Sequence, residues 1–113
     1  MSLDVSGGET SISVFQLAEL RQAEVPHAIL DVREPAELEI CQIEGAIHIP
    51  MQQVPARLAE LAADAPLVVF CHHGMRSLSV VNFLRKAGFE NAINLDGGID
   101  AWSAEIDPSI SRY

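Results

Sequence analysis

The chain has 113 residues, of which 49% are hydrophobic, 20% charged and 5% aromatic, and its net charge is −9. That length fits one globular domain able to bury roughly 65% of its unfolded surface. The acidity excludes non-specific nucleic-acid binding, which needs a basic surface to displace phosphate counterions, and it equally opposes docking on an anionic membrane.

No apolar run approaches the ~20 residues that span a bilayer. Residues 1–10 lack the basic start and apolar stretch of a signal peptide and read as a flexible lead. The expected location is therefore the cytoplasm. Cys41 and Cys71 lie far from any CxxC spacing and are expected to be free thiols in a reducing compartment.

In chain order, residues 11–13 read as a weak first strand, or Ser13 instead caps the following helix. Gln16 would complete a capping box, with Val14, Leu17 and Leu20 turned inward. Ala28-Ile29-Leu30-Asp31-Val32 is a stronger strand. Pro35 suits the first turn of a short helix running to about Ile40. Ala46-Ile47-His48-Ile49 is another strand, ended by Pro50, and Pro55 is expected to open a helix with Leu58 and Leu61 on one side.

Leu67-Val68-Val69-Phe70-Cys71 is a continuous apolar run, the pattern of a strand buried on both faces. Residues 76–87 read as a helix with Leu78, Val81 and Leu84 inward and Gly88 as its stop. Residues 92–95 form a last strand, and Gly97-Gly98 turns into a short helix containing Trp102. Strands alternating with helices imply right-handed crossovers and a mainly parallel five-stranded sheet with helices on both faces. Ligands in such α/β folds bind beyond the carboxyl ends of the strands, where Cys71 is expected to stand.

The segment Cys71-His72-His73-Gly74-Met75-Arg76-Ser77 joins a buried strand to a helix through a loop short enough to aim backbone amides at one point. The helix start and the Arg76 guanidinium add positive potential. Gly74 allows the positive φ that such a loop often needs. A cysteine there should be thiolate near neutral pH, and the same field would hold an anionic substrate. The nucleophile is thus expected at Cys71, with His72, His73, Gly74, Met75, Arg76 and Ser77 around the substrate.

This loop resembles the active-site loop of rhodanese-like domains: a cysteine, four intervening residues, an arginine and a small hydroxyl residue. Asp31-Val32-Arg33-Glu34-Pro35 resembles that family's Asp-x-Arg motif. Glu44-Gly45-Ala46-Ile47-His48-Ile49-Pro50 resembles its Gly-Ala-x-x-Ile-Pro segment. Asp96-Gly97-Gly98-Ile99-Asp100-Ala101-Trp102 resembles its closing Gly-Gly-x-x-Ala-Trp. Cys41-Gln42 stands where many relatives carry a Gly-His pair.

The resemblance implies a rhodanese-like domain over residues 11–104 with a tail at 105–113. It implies a ping-pong sulfurtransferase in which Cys71 takes sulfane sulfur from a donor such as thiosulfate as a persulfide. Cyanide, a thiol or a protein would then accept it. The alternative it leaves is a non-turnover carrier delivering sulfur to a partner protein of a cofactor or tRNA thiolation pathway. Related phosphatases of the cell-cycle type place five residues between cysteine and arginine, a ring wide enough for phosphate; the four here favour sulfur.

Asp31 and Arg33 are expected to support the loop through structural hydrogen bonds, and His72 and His73 would gain charge only below about pH 6.5. Cys41 is expected to be inert, and Trp102 to serve the core. Arg85 and Lys86 suit a helix C-terminus. No metal and no cofactor are expected. The tail Ile106-Asp107-Pro108-Ser109-Ile110-Ser111-Arg112-Tyr113 resembles the end of rhodanese domains fused to adenylating enzymes that load sulfur onto ubiquitin-like carriers, which points to a protein acceptor.

Overall fold

The computed structural model describes residues 10–113, so all of the expected lead but Thr10 lies outside the described residues. The elements follow in the order β1 (Ser11–Ile12), α1 (Val14–Gln22), β2 (Ala28–Asp31), α2 (Pro35–Leu38), β3 (Ile47–His48), β4 (Leu67–Phe70), α3 (Met75–Lys86), β5 (Ala92–Leu95) and α4 (Gly98–Glu105). The five strands form one sheet in the order β1-β5-β4-β2-β3, and each of the four pairings is parallel.

Alternation along the strands sorts the core into two layers, because successive side chains leave a strand on opposite faces. Val68 and Phe70 of β4 point to one face with Ile93 and Leu95 of β5, and join Leu17 and Leu20 of α1 and Ile99 and Trp102 of α4. Leu67, Val69 and Cys71 point to the other face and meet Val80, Val81 and Leu84 of α3. Helices therefore cover both faces, as the βαβ pattern demands. Among the described residues, no helix is long and apolar enough to cross a membrane.

Both readings of residues 11–13 hold at once. Ser11 and Ile12 pair with β5, while the Ser13 hydroxyl accepts from the Gln16 amide at 3.1 Å and Gln16 Oε1 accepts from the Ser13 amide at 2.9 Å. The expected helix after Pro55 is instead two 3-10 turns, Met51–Ala56 and Leu58–Glu60, with Pro55 inside the first. A proline there supplies no N–H for a helical bond, and Val54 is the one residue of the two turns that is fully buried, so no apolar stripe draws the segment into a longer helix. In α3 the inward positions are Ser77, Val80, Val81 and Leu84, while Leu78 is only half-buried. The helix begins one residue earlier than the sequence pattern suggested, at Met75, with Gly74 as its N-cap.

β4 lies between β5 and β2, and the chain goes on from β4 toward β5 but from β2 toward β3, so these two neighbouring strands connect onward in opposite directions. This is the switch point of a doubly wound sheet, where the strand ends open a crevice. Cys71 follows β4 at that opening.

Candidate active site

Cys71 shares the parity of Val69, so its side chain falls beneath the start of α3. The thiol is almost wholly buried, at 1% exposure. Its sulfur accepts from the Gly74 amide at 3.1 Å and the Ser77 amide at 3.4 Å, with the Ser77 hydroxyl also at 3.4 Å. Burial, the largest single influence, pushes the thiol up. The Ser77 hydroxyl and amide, the Gly74 amide and the charge of Arg76 together outweigh it, and Cys71 lies below the ordinary thiol value.

The loop that aims these amides is held from two sides. Gly74 has φ +105°, and a Cβ there would press on the backbone of Gly97 at 3.3 Å. From α4, the amides of Ile99 and Asp100 donate to the carbonyls of Cys71 and His72 at 2.9 and 3.1 Å. Gly98 makes that approach possible. A Cβ on it would sit 2.5 Å from both carbonyl oxygens. The Gly-Gly pair of the closing motif is therefore the seat on which the cysteine loop rests.

Asn94 is the contribution from β5. Having the parity of Ala92, it points to the α3 face, and it is buried there. Its Nδ2 donates to the Gly74 carbonyl at 3.2 Å, which turns Oδ1 toward Ser77. The Ser77 hydroxyl lies 2.5 Å from that oxygen.

Arg33 is fully buried and pairs with Asp31 through Nε and Nη2, at 3.0 and 2.8 Å. Its remaining donors reach the carbonyls of Cys41 and Glu37 and the hydroxyl of Tyr113. Asp31 and Arg33 thus fasten the α2 turn to the end of β2, beside the loop. The turn presents Glu37, whose carboxylate accepts both arms of the Arg76 guanidinium at 2.7 and 2.9 Å. That pairing with Arg76, reinforced by Tyr113, outweighs burial and holds Glu37 at about 2.

The last residues fold back over the loop. Ile106 and Ile110 pack against the α1/α4 core layer, and the Ile110 carbonyl accepts from the Ser103 hydroxyl. The Tyr113 ring then stacks on His72, with centroids 3.8 Å apart and planes at 4°. The Tyr113 hydroxyl donates to Glu37 at 2.5 Å and accepts from Arg33 at 3.1 Å. Burial and Glu37 raise its pKa to about 12, against the opposing effect of Arg33, so it stays protonated.

The His72 and His73 rings meet at the rim, their centroids 3.9 Å apart and their planes tilted by 31°. Burial and the neighbouring His73 hold His72 below its ordinary value, so its charge appears at more acidic pH than the free imidazole would suggest. His72, His73 and Asp100 place one potential ligand atom each within 4.8 Å of one another, a grouping the sequence spacing did not reveal. Arg112 occupies the Asp100 carboxylate with two hydrogen bonds, at 3.0 and 3.1 Å. Met75 projects outward, 78% exposed, at the rim of the loop.

The structure thus brings Cys71, Gly74 and Ser77 into direct contact, with His72 and His73 above them, and turns Arg76 onto Glu37. Sequence reasoning missed Glu37, Asn94 and Tyr113. Glu37 and Asn94 carry no local signal, since their roles come from strand parity and the turn made by α2. Tyr113 lay in a tail already singled out.

A family model for the rhodanese-like domain matches residues 13–105. The chain belongs to the rhodanese-like domain family. It is 33% identical to the thiosulfate sulfurtransferase GlpE of Tolumonas auensis over 94 residues, covering 82% of this chain and 87% of that protein. It is 39% identical over 88 residues to MoeZ of Mycobacterium tuberculosis, named a probable adenylyltransferase/sulfurtransferase. That match covers 76% of this chain but 22% of MoeZ, so the rhodanese-like domain corresponds to one part of a longer protein. The crystal structure of a rhodanese-related protein from Thermoplasma volcanium superposes with a TM-score of 0.78 at 36% identity, covering 86% of this chain and 93% of the other. Sulfur transfer is the activity that GlpE and MoeZ share by name.

Proposed function

We propose that this rhodanese-like domain moves sulfane sulfur through a persulfide on Cys71. The observation that carries the reading is the convergence of the Gly74 and Ser77 amides on a buried cysteine sulfur whose pKa is lowered. In the first half-reaction the Cys71 thiolate attacks the outer sulfur of a donor such as thiosulfate. The new S–S bond forms as the donor's S–S bond breaks, and sulfite leaves with the electron pair. In the second, the nucleophile of an acceptor takes that outer sulfur and Cys71 returns as thiolate.

The amides that hold the thiolate also suit the negative charge of the persulfide, and being fixed by Asn94 and α4 they need little rearrangement between the two states. The charge of Arg76 acts on the Cys71 sulfur and suits an anionic donor. Cyanide, a small thiol or a protein thiol are acceptors of the right chemistry. Steady turnover of thiosulfate with cyanide, measured beside single-turnover transfer from loaded protein to a thiol, tests this reading. Loading followed by transfer is expected. A protein that gains no sulfur from either thiosulfate or glutathione persulfide contradicts it.

A carrier role is the second reading, and one observation favours it. Both arms of Arg76 are occupied by Glu37, which leaves them less open to a free dianion. In that role loading and delivery proceed, while turnover with thiosulfate stays low.

A further inference from the structure

We propose that Glu37 and Tyr113 are specificity-determining residues, which hold the Arg76 fork closed and so favour a thiol persulfide, R–S–SH, over thiosulfate as sulfur donor. The proposal rests on the sulfur-transfer reading of Cys71.

A planar guanidinium binds a sulfonate best through two parallel N–H donors. In Arg76 those two donors, Nη1 and Nη2, already meet the two oxygens of Glu37. Thiosulfate must displace that carboxylate, and once displaced the carboxylate remains nearby as a like charge. The surroundings do not relieve this. Arg112, the cation beside the loop's histidines, is already spent on Asp100, and the chain as a whole carries a charge of −9.

Tyr113 makes the arrangement a latch. Its hydroxyl donates to the same Glu37 oxygen that faces Arg76 Nη2, and the hydroxyl is itself fixed by buried Arg33. The ring lies flat on His72, which belongs to the cysteine loop. The tail behind it is tied down by Arg112 on Asp100 and by Ile110 on Ser103. Glu37 is therefore held on three sides, by Arg76, by Tyr113 and by the Glu34 amide, which donates to its carboxylate at 3.0 Å.

A thiol persulfide carries no dianionic group and needs no fork. The Cys71 thiolate attacks its terminal sulfur, the Cys71–S bond forms as the R–S bond to that sulfur breaks, and the thiolate R–S⁻ leaves. The proton stays with the transferred sulfur, and no outside oxidant or reductant is consumed.

The test compares the unmodified protein with Glu37→Gln and Tyr113→Phe. Loading rates are measured against the concentration of sodium thiosulfate, by sulfite release, and of glutathione persulfide, by intact mass. In Glu37→Gln the thiosulfate KM should fall roughly tenfold, the scale of losing one charged hydrogen-bonded contact. The ratio of kcat/KM for thiosulfate over persulfide should rise with it. Tyr113→Phe, which removes one hydroxyl and keeps the ring, should move both quantities the same way by less, and it carries the test alone if Glu37→Gln does not fold. Unchanged or raised thiosulfate KM in both variants, with persulfide loading intact, overturns the latch and leaves sulfur transfer standing. Failure of both donors to load the unmodified protein contradicts the sulfur-transfer reading, and the latch with it.

Discussion

The hydroxyl of Ser77 stands between two acceptors, 2.5 Å from Asn94 Oδ1 and 3.4 Å from Cys71 Sγ. A hydroxyl has one proton and two lone pairs, so it serves one acceptor at a time. Asn94 cannot turn away, because its Nδ2 is engaged by the Gly74 carbonyl. The two loop amides are thus the permanent donors to the sulfur, and the hydroxyl is an adjustable third.

Ser77→Ala removes that third donor and leaves the amides. Cys71 should then titrate higher than in the unmodified protein, though still short of what burial alone would impose. The rate of alkylation against pH measures this. An unchanged or lower midpoint would show that the hydroxyl serves Asn94 alone.

The buried Arg33–Asp31 pair makes a second expectation. Arg33→Ala would leave Asp31 uncompensated beneath the α2 turn and strip the turn and Tyr113 of their anchor. Loss of one member of a buried ion pair costs about 3–5 kcal/mol, so chemical denaturation should show a loss of that order. A loss well under about 1 kcal/mol, the scale of an exposed pair, would place Arg33 outside the framework.

Glu37 gives stability a pH dependence whose sign is fixed. Its folded-state pKa is depressed from 4.5 to about 2, so its contribution is complete above 4.5 and is lost as pH falls from there toward 2. Stability curves of the unmodified protein and Glu37→Gln should therefore differ most above pH 5 and converge in acid. A difference that grows on acidification would contradict the pairing with Arg76.

The parallel α/β fold was legible because β2, β4 and β5 are short apolar runs separated by helical stretches. Cys71 was legible because one loop joins a buried strand to a helix through Gly74. Other features hid for physical reasons. Glu37, read alone, is a charge on a solvated turn, and only the Arg33 contacts that tie α2 to β2 bring it to Arg76. Asn94 looks like an interruption of an apolar strand until the parity of β5 aims it at Ser77. The segment around Pro55 carried apolar residues at helical spacing, yet a missing N–H and a single buried anchor left it as two 3-10 turns.

The role of Cys71 is tested most directly by intact-mass measurement after exposure to thiosulfate or glutathione persulfide. The unmodified protein and Cys41→Ser should each gain the mass of one sulfur from at least one donor, and lose it on addition of a thiol acceptor. Cys71→Ser should gain none from either. Sulfur retained by Cys71→Ser and missing from Cys41→Ser would contradict the assignment of the nucleophile.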